Sequence, residues 1–184
     1  MKDSALLLID IQNDYFPGGK WVLHQSGEAA AKAAQALAAY RKKGLPVLHI
    51  RHESLQPEAK FFLPGTPGAD IHSLVEPAEG EQVLLKHVPN AFSGTSLHEE
   101  LQAAGIRKLA ICGMMTHMCI DTSVRAARDL GYAVTLLEDA CATRDLEWQG
   151  ERIPADTVHK TMLAALNGTF ARVMRVAQFL EMGG

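Results

Sequence analysis

The stretch LAICGMMTHMC, residues 109–119, decides the fold of this chain. Residues 109–112 form a short apolar run typical of a buried strand, residues 113–116 form a tight connection, and a helical pattern begins at His117. Such a strand–turn–helix unit is typical of a parallel sheet that helices cover on both faces. The unit also places Cys119 in the first turn of the helix.

Apolar runs rich in Leu, Ile and Val on either side of this unit predict further strands. Alternating with them are amphipathic or Ala-rich stretches that predict helices, and Ser26 is expected to cap the first helix. The predicted strands are 5–9, 46–50, 82–85, 108–112, 133–137 and 172–176, and the predicted helices are 26–43, 96–104, 117–130 and 155–167. This alternation indicates an α/β fold.

The chain of 184 residues is long enough for one domain with a sizeable core. No internal repeat or linker divides it, so residues 1–184 are predicted to form a single domain. The segment 53–80 is broken by Pro and Gly and is too long for a plain connector. We expect it to build one wall of a pocket.

Composition excludes several classes of protein. The net charge is −3 and no Lys/Arg cluster is dense, which argues against a nucleic-acid partner. The N-terminal apolar run, residues 5–9, is too short for a signal peptide core or a membrane span, so a cytoplasmic protein without a membrane partner is expected. Three cysteines without CxxC spacing favour reduced thiols. No GxGxxG or P-loop follows the first strand, which argues against nucleotide binding.

Two charged residues directly follow predicted apolar strands. Asp10 ends the run 5–9 and Lys86 ends the run 82–85. Ligand crevices of open α/β sheets lie beyond the carboxyl ends of the strands, so both side chains are candidates for chemistry. Simpler interpretations stay open, because Asp10 can cap a turn with its polar neighbours and Lys86 can be a solvated strand end.

Cys119 is the candidate nucleophile. Backbone N–H groups and the helix dipole stabilise a thiolate in a first helical turn, so this position predicts a lowered pKa for Cys119. Cys112, in a predicted buried strand, and Cys141 are expected to be inert. A buried structural role for Cys119 is the alternative.

Three motifs in order resemble the isochorismatase-like cysteine hydrolases, a family that includes isochorismatase, nicotinamidase and N-carbamoylsarcosine amidohydrolase. They are DIQNDYF (10–16), KHVPNAFSGT (86–95) and GMMTHMCI (113–120), and EDACA (138–142) resembles the acidic segment after the family's fifth strand. A single motif is weak, but three in order with compatible spacing are specific. The resemblance extends over nearly the whole chain.

The resemblance implies a role for each matching residue. Cys119 attacks a carbonyl carbon, Asp10 takes the thiol proton, and Lys86 holds the charges of both. The backbone amides of Met115 and Cys119 are the implied oxyanion donors. A cis peptide bond between Met114 and Met115 is implied as well.

The family fold implied is a three-layer α/β/α arrangement with a six-stranded parallel sheet of order 3-2-1-4-5-6. In that order the strand before Lys86 lies at an edge, so its loop is expected to reach inward toward Asp10 and Cys119. A Lys86 amine far from the Cys119 sulfur would contradict the catalytic triad.

No metal and no other cofactor are expected. Nicotinamidases carry an Asp-x-His metal motif after strand two, whereas this chain reads IRHES at residues 50–54 and lacks the aspartate. His49 and His52 are three apart on an extended segment and point to opposite faces. The residues offered as pocket-wall, substrate-binding candidates are Phe16, His52, Phe61, Phe92 and His117, with packing or surface placement equally open.

The sequence therefore predicts a metal-independent hydrolase that cleaves the C–N bond of a small amide, carbamoyl compound or lactam through a thioester at Cys119. A vinyl-ether hydrolase of the isochorismatase type is one alternative, which the retained cysteine disfavours. A ligand-binding or redox protein without turnover is another, which the lack of CxxC weakens. Family members commonly form oligomers, so a homodimer or homotetramer is expected, with residues 61–63 as part of an interface or a lid.

Overall fold

The structure of the chain is a computed structural model that describes residues 3–183, so residues 1, 2 and 184 of the predicted domain lie outside the described residues. It contains eight strands, numbered along the chain. They are β1 (Ser4–Ile9), β2 (Val47–His52), β3 (Gln82–Lys86), β4 (Lys108–Met114), β5 (Ala133–Ala142), β6 (Leu146–Trp148), β7 (Glu151–Ile153) and β8 (Arg172–Met174). Strands β6 and β7 pair with each other as an antiparallel hairpin.

The six remaining strands form one parallel sheet in the order β3-β2-β1-β4-β5-β8. The predicted order is confirmed, with β8 as the sixth strand of the sheet. The hairpin was not predicted and is inserted between the last two strands of the sheet. β1 and β4 lie at the centre and contribute most of their side chains to the core, as their continuous apolar sequence requires.

Helices flank the sheet. They are α1 (Ser26–Lys42), α2 (Leu97–Ala103), α3 (Asp121–Asp129), α4 (Ala155–Leu166) and α5 (Val176–Glu181). In α1 the small residues Ala29, Ala30, Ala33 and Ala36 are buried, which lets the helix lie close to the strands. Within residues 3–183, no helix is long and apolar enough to span a membrane.

Two details of the predicted helices are wrong. Ser26 is the first residue of α1 and is buried, while Gln25 precedes it in the left-handed conformation and makes no side-chain capping bond. The predicted helix 117–130 begins instead as a π-helical turn, Thr116–Ile120, and continues as α3. Cys119 therefore lies in a separate turn before the regular helix.

Gly113 sets how closely β1 and β4 approach each other. It pairs with Ile9 and has φ +136°. A Cβ at this position would lie 1.9 Å from the carbonyl oxygen of Ile9. Only glycine fits here, and the contact lies one residue before Asp10.

The segment 53–80 folds onto the loop that follows β1. The Asp14 carboxylate accepts the N–H of Phe62 at 2.6 Å, and Gln12 donates to the carbonyl of Ala69 at 2.8 Å. Phe62 is buried and packs on Tyr15, with ring centroids 4.5 Å apart. The aromatic part of this segment thus faces the interior of its own chain.

Candidate active site

Asp10 is the first residue beyond β1 and is completely buried. Its backbone turns into the left-handed region, with φ 53°, and its N–H donates to the carbonyl of Ile50 at 3.0 Å. A non-glycine residue in this region is uncommon and is held only where its surroundings enforce it. The turn aims the carboxylate across the carboxyl edge of the sheet.

Lys86 is the last residue of edge strand β3, where it pairs with His52 of β2. Its side chain is buried, and Nζ lies 2.7 Å from Oδ2 of Asp10 and 3.4 Å from Sγ of Cys119. The lysine side chain spans the distance from the edge strand, and the loop after β3 also reaches inward, because the N–H of buried Ala91 donates to Oγ of Ser123 on α3 at 3.0 Å. Nζ also donates to the carbonyl of Val88 at 3.1 Å.

Cys119 lies in the π-helical turn beyond β4 and is 6% exposed. The peptide bond between Met114 and Met115 is cis, as the resemblance implied. Met115 immediately precedes the turn and Cys119 lies within it, so both candidate oxyanion amides belong to one short segment. The structure therefore brings Asp10, Lys86 and Cys119 together.

Burial dominates the electrostatics of this cluster. It raises the pKa of Asp10, an effect that the Lys86 charge partly opposes. Burial alone would lower the pKa of Lys86, but the Asp10 carboxylate, and then the interaction with Cys119, raise it. Lys86 is therefore an ammonium ion that neutralises the charge next to it.

The prediction of a lowered pKa for Cys119 is wrong. Burial, and then the nearby Asp10 carboxylate, raise the pKa of the thiol, and the opposing effect of Lys86 is smaller. The short turn gives little dipole stabilisation compared with these effects. The thiol is therefore protonated at neutral pH, and an attack by sulfur needs a base such as Asp10 to take the proton.

His52 joins the cluster from β2. Its Nδ1 lies 3.1 Å from Nζ of Lys86, and Gln12 clamps its backbone through two hydrogen bonds of 2.8 Å. Burial, and then the charge of Lys86, lower the pKa of His52 to about 3. The ring is therefore neutral at the pH of most cells and accepts a hydrogen bond from Lys86.

The other candidate pocket residues have different surroundings. Phe16 stacks on His72 with ring centroids 3.7 Å apart, and Phe61 stacks on Trp21 at 5.0 Å. His117 belongs to the turn that carries Cys119, and its Nδ1 lies 2.5 Å from the hydroxyl of Thr143. Phe92 stacks at 6.0 Å on Tyr132, which precedes β5 at the opposite end of the sheet from Cys119. The contact of Phe92 supports its packing interpretation.

Two residues near the cluster, Tyr15 and Arg144, were not predicted from the sequence. Tyr15 is buried, and its pKa is raised well above the usual value by burial and then by Cys119 and Asp10. The Arg144 guanidinium lies 5.4 Å from the ring centroid of Trp21, and its charge lowers the pKa of His117, although burial is the larger cause. Tyr15 could have been found because it lies within the first motif. Arg144 could have been found from the strand order, because it follows β5, which is the neighbour of β4.

The two histidines of β2 do not share a site. Nε2 of His49 lies 2.9 Å from Oε2 of Glu81, whereas His52 contacts Lys86. Across residues 3–183, no group of three or more His, Cys, Asp and Glu side chains is placed to hold a metal ion. The cluster at the carboxyl edge of the sheet combines a carboxylate, an ammonium group and a thiol.

Comparisons with known proteins identify one family by sequence and by structure. The isochorismatase domain matches residues 4–178. The isochorismatase family protein YddQ of Bacillus subtilis (strain 168) is 47% identical over 178 residues, which cover 97% of this chain and 99% of YddQ. The crystal structure of an isochorismatase hydrolase from Oleispira antarctica is 49% identical with a TM-score of 0.95, covering 98% of this chain and 97% of that one. Streptothricin hydrolase of Streptomyces noursei is 34% identical over 143 residues, 78% of this chain and 51% of that protein.

The fold and the site together define an α/β hydrolase. With the domain match and these relatives, the chain belongs to the isochorismatase family of hydrolases.

Proposed function

We propose that this protein is a metal-independent cysteine hydrolase that cleaves the C–N bond of a small amide, carbamoyl compound or lactam through a thioester at Cys119. One observation carries the proposal. Nζ of Lys86 lies 2.7 Å from Oδ2 of Asp10 and 3.4 Å from Sγ of Cys119, within a buried cluster. A base, a counter-ion and a nucleophile are thus in mutual reach.

In the first half of the reaction Asp10 accepts the thiol proton as Sγ of Cys119 bonds to the substrate carbonyl carbon. The carbonyl oxygen becomes an oxyanion, which the N–H groups of Met115 and Cys119 stabilise. The C–N bond then breaks, and the leaving nitrogen takes the proton from Asp10. The products of this half are a free amine or ammonia and an acyl group bound to sulfur as a thioester.

In the second half Asp10 accepts a proton from water while the water oxygen attacks the thioester carbon. The C–S bond breaks, the acid leaves, and the proton returns from Asp10 to sulfur. Burial supports both halves because it raises the pKa of Asp10 and makes the carboxylate a stronger base than an exposed one. Lys86 keeps the charge of the carboxylate and of the developing thiolate balanced.

The relatives support hydrolysis more than they define the substrate. Streptothricin hydrolase is named for the hydrolysis of streptothricin, and its match covers 51% of that protein. We transfer only the class of reaction to this chain. The substrate class of small amides, carbamoyl compounds and lactams rests on the nucleophile and its base.

A vinyl-ether hydrolase remains the second candidate because the raised pKa of Asp10 also suits an acid that protonates substrate. In that reaction the Cys119 thiol would have no bond to form. The two candidates therefore differ in whether Cys119 is needed.

The test measures turnover of a panel of small amides, carbamoyl compounds, lactams and enol ethers, with a chelator present throughout. Wild type is compared with Cys119→Ala and with the control Cys141→Ala, since Cys141 is also buried but lies at the end of β5. We expect release of amine or ammonia by wild type and the control, and none by Cys119→Ala. Retained activity in Cys119→Ala would overturn the proposal, and turnover of an enol ether alone would favour the second candidate.

We also propose that the protein acts in the cytoplasm as a homodimer or homotetramer. Its three cysteines are free, which fits a reducing compartment. Edge strand β3 and the loop after it expose the apolar side chains of Val83, Leu85 and Val88. A second copy of the chain would remove this apolar surface from water.

A further inference from the structure

Thr116 opens the turn that carries Cys119, and its hydroxyl connects two other elements. The side chain is fully buried. Oγ1 lies 3.2 Å from the carbonyl oxygen of Ala142, at the end of β5, and 2.9 Å from Nδ1 of His159 on α4. The hydroxyl has one proton, and the carbonyl can only accept, so Thr116 donates to Ala142. The contact of Nδ1 joins His159 on α4 to the Cys119 turn in either ring tautomer.

The connection ends next to the proposed oxyanion site. Met115 immediately precedes Thr116, and Met114 pairs with Ala142 in the sheet. A hydrogen bond that fixes Thr116 therefore fixes the start of the segment that contains the amides of Met115 and Cys119. Small displacements of reacting groups have large effects on rate, so such a bond matters for catalysis.

His159 lies outside the triad. It lines a separate cavity of about 230 Å³ together with Glu138, Cys141 and Thr143. Burial lowers the pKa of His159, which keeps the ring neutral, and the backbone of Glu138 is a further hydrogen-bond partner of the ring. Its effect on the reaction must therefore pass through Thr116.

We propose that His159 is a positioning residue that holds the Cys119 turn in its reactive geometry through the hydroxyl of Thr116. The catalytic meaning of this role rests on the proposed function. The role itself concerns the reactivity of the Cys119 thiol, which can be measured without any substrate.

The experiment measures the rate at which iodoacetamide alkylates Cys119, followed by the mass of the peptide that contains it. His159→Leu removes the hydrogen-bonding nitrogen, while His159→Asn keeps a polar amide group near the position of Nδ1. We expect His159→Leu to slow alkylation by about fivefold, as for the loss of one hydrogen bond, and His159→Asn to stay within about twofold of wild type. With a substrate in hand, kcat falls in His159→Leu and KM does not change.

Two further comparisons separate positioning from general stability. His98→Leu is the matched control, because His98 forms a similar bond of 2.9 Å to the hydroxyl of Tyr132, remote from Cys119. It should leave alkylation unchanged. Thr116→Val should slow alkylation as much as His159→Leu does, whereas Thr116→Ser should not slow it. The double variant with Thr116→Val and His159→Leu should be alkylated no more slowly than either single variant.

Equal alkylation rates for His159→Leu and His159→Asn would overturn the inference, as would an equal slowing by His98→Leu. If His159→Leu does not fold, Thr116→Val is compared with Thr116→Ser, and equal alkylation rates for these two variants would overturn the inference. If no amide is hydrolysed by the wild type, the proposed function fails while the alkylation pattern still tests the role of His159.

Discussion

The Lys86 ammonium and the Asp10 carboxylate are both buried, so each depends on the other for stability. Lys86→Met would leave Asp10 as a buried charge without its partner, and we expect a loss of about 3–5 kcal/mol in the free energy of unfolding at pH 7. Lys108→Met is the control, because Lys108 pairs with Asp3 at the surface, where water screens the charges. Urea unfolding measures the free energy of unfolding of both variants. Equal losses in Lys86→Met and Lys108→Met would contradict the expected contribution of the buried ion pair.

The pH dependence of catalysis identifies the base. Burial raises the pKa of Asp10, so kcat/KM should fall as the pH drops through a value above the ordinary 3.8 of an aspartate. The pKa of His52 is lowered to about 3, so His52 contributes no inflection near 6.5. The measurement is the pH profile of kcat/KM for wild type and His52→Gln. A limb near 6.5 that His52→Gln removes would assign the titration to His52 and contradict this account.

At the scale of residues, the sequence predicted the positions of Asp10 and Lys86 correctly but not the direction of the pKa shift of Cys119. Asp10 and Lys86 could be found because each ends an apolar strand, and parallel strands bring their carboxyl ends to one edge. The pKa of Cys119 could not be predicted, because it depends on burial and on Asp10, more than 100 residues away in the sequence. The position of Cys119 in a helical turn indicated a lowered pKa, which is the opposite direction.

At the scale of elements, the close approach of β1 and β4 depends on Gly113. Gly113→Ala would place a Cβ 1.9 Å from the Ile9 carbonyl oxygen, so we expect a loss of about 3 kcal/mol or more in the free energy of unfolding. Gly131→Ala is the matched control, with φ +92° but no atom within 4 Å of the added Cβ, and should cost about 1 kcal/mol. Equal costs in urea unfolding would show that backbone strain alone matters.

The strands of the main sheet could be predicted because their apolar runs are continuous. The hairpin of β6 and β7 was missed because each strand has three residues and exposed polar side chains. Its signal was the two-residue turn Gln149–Gly150, in which both residues have positive φ. The six-residue helix α5 was missed because it is too short for a helical period to stand out.

At the scale of the whole molecule, we expect assembly into a homodimer or homotetramer. The apolar side chains of edge strand β3 are exposed on the single chain of 20.0 kDa, and burying them against a second copy is favourable. Sedimentation at micromolar concentration should give a mass of two or four chains. Val83→Lys should then shift the mass toward a single chain, while a monomeric wild type would contradict the expected assembly.

The proposal as a whole rests on a covalent bond between Cys119 and the substrate. The most direct measurement mixes the protein with a compound that it turns over, quenches the reaction in acid within milliseconds to seconds, and determines the mass of the peptide that contains Cys119. We predict an added acyl group on Cys119 in wild type, and neither adduct nor turnover in Cys119→Ala. Turnover by Cys119→Ala at the wild-type rate, or an acyl group on another residue, would contradict the central claim.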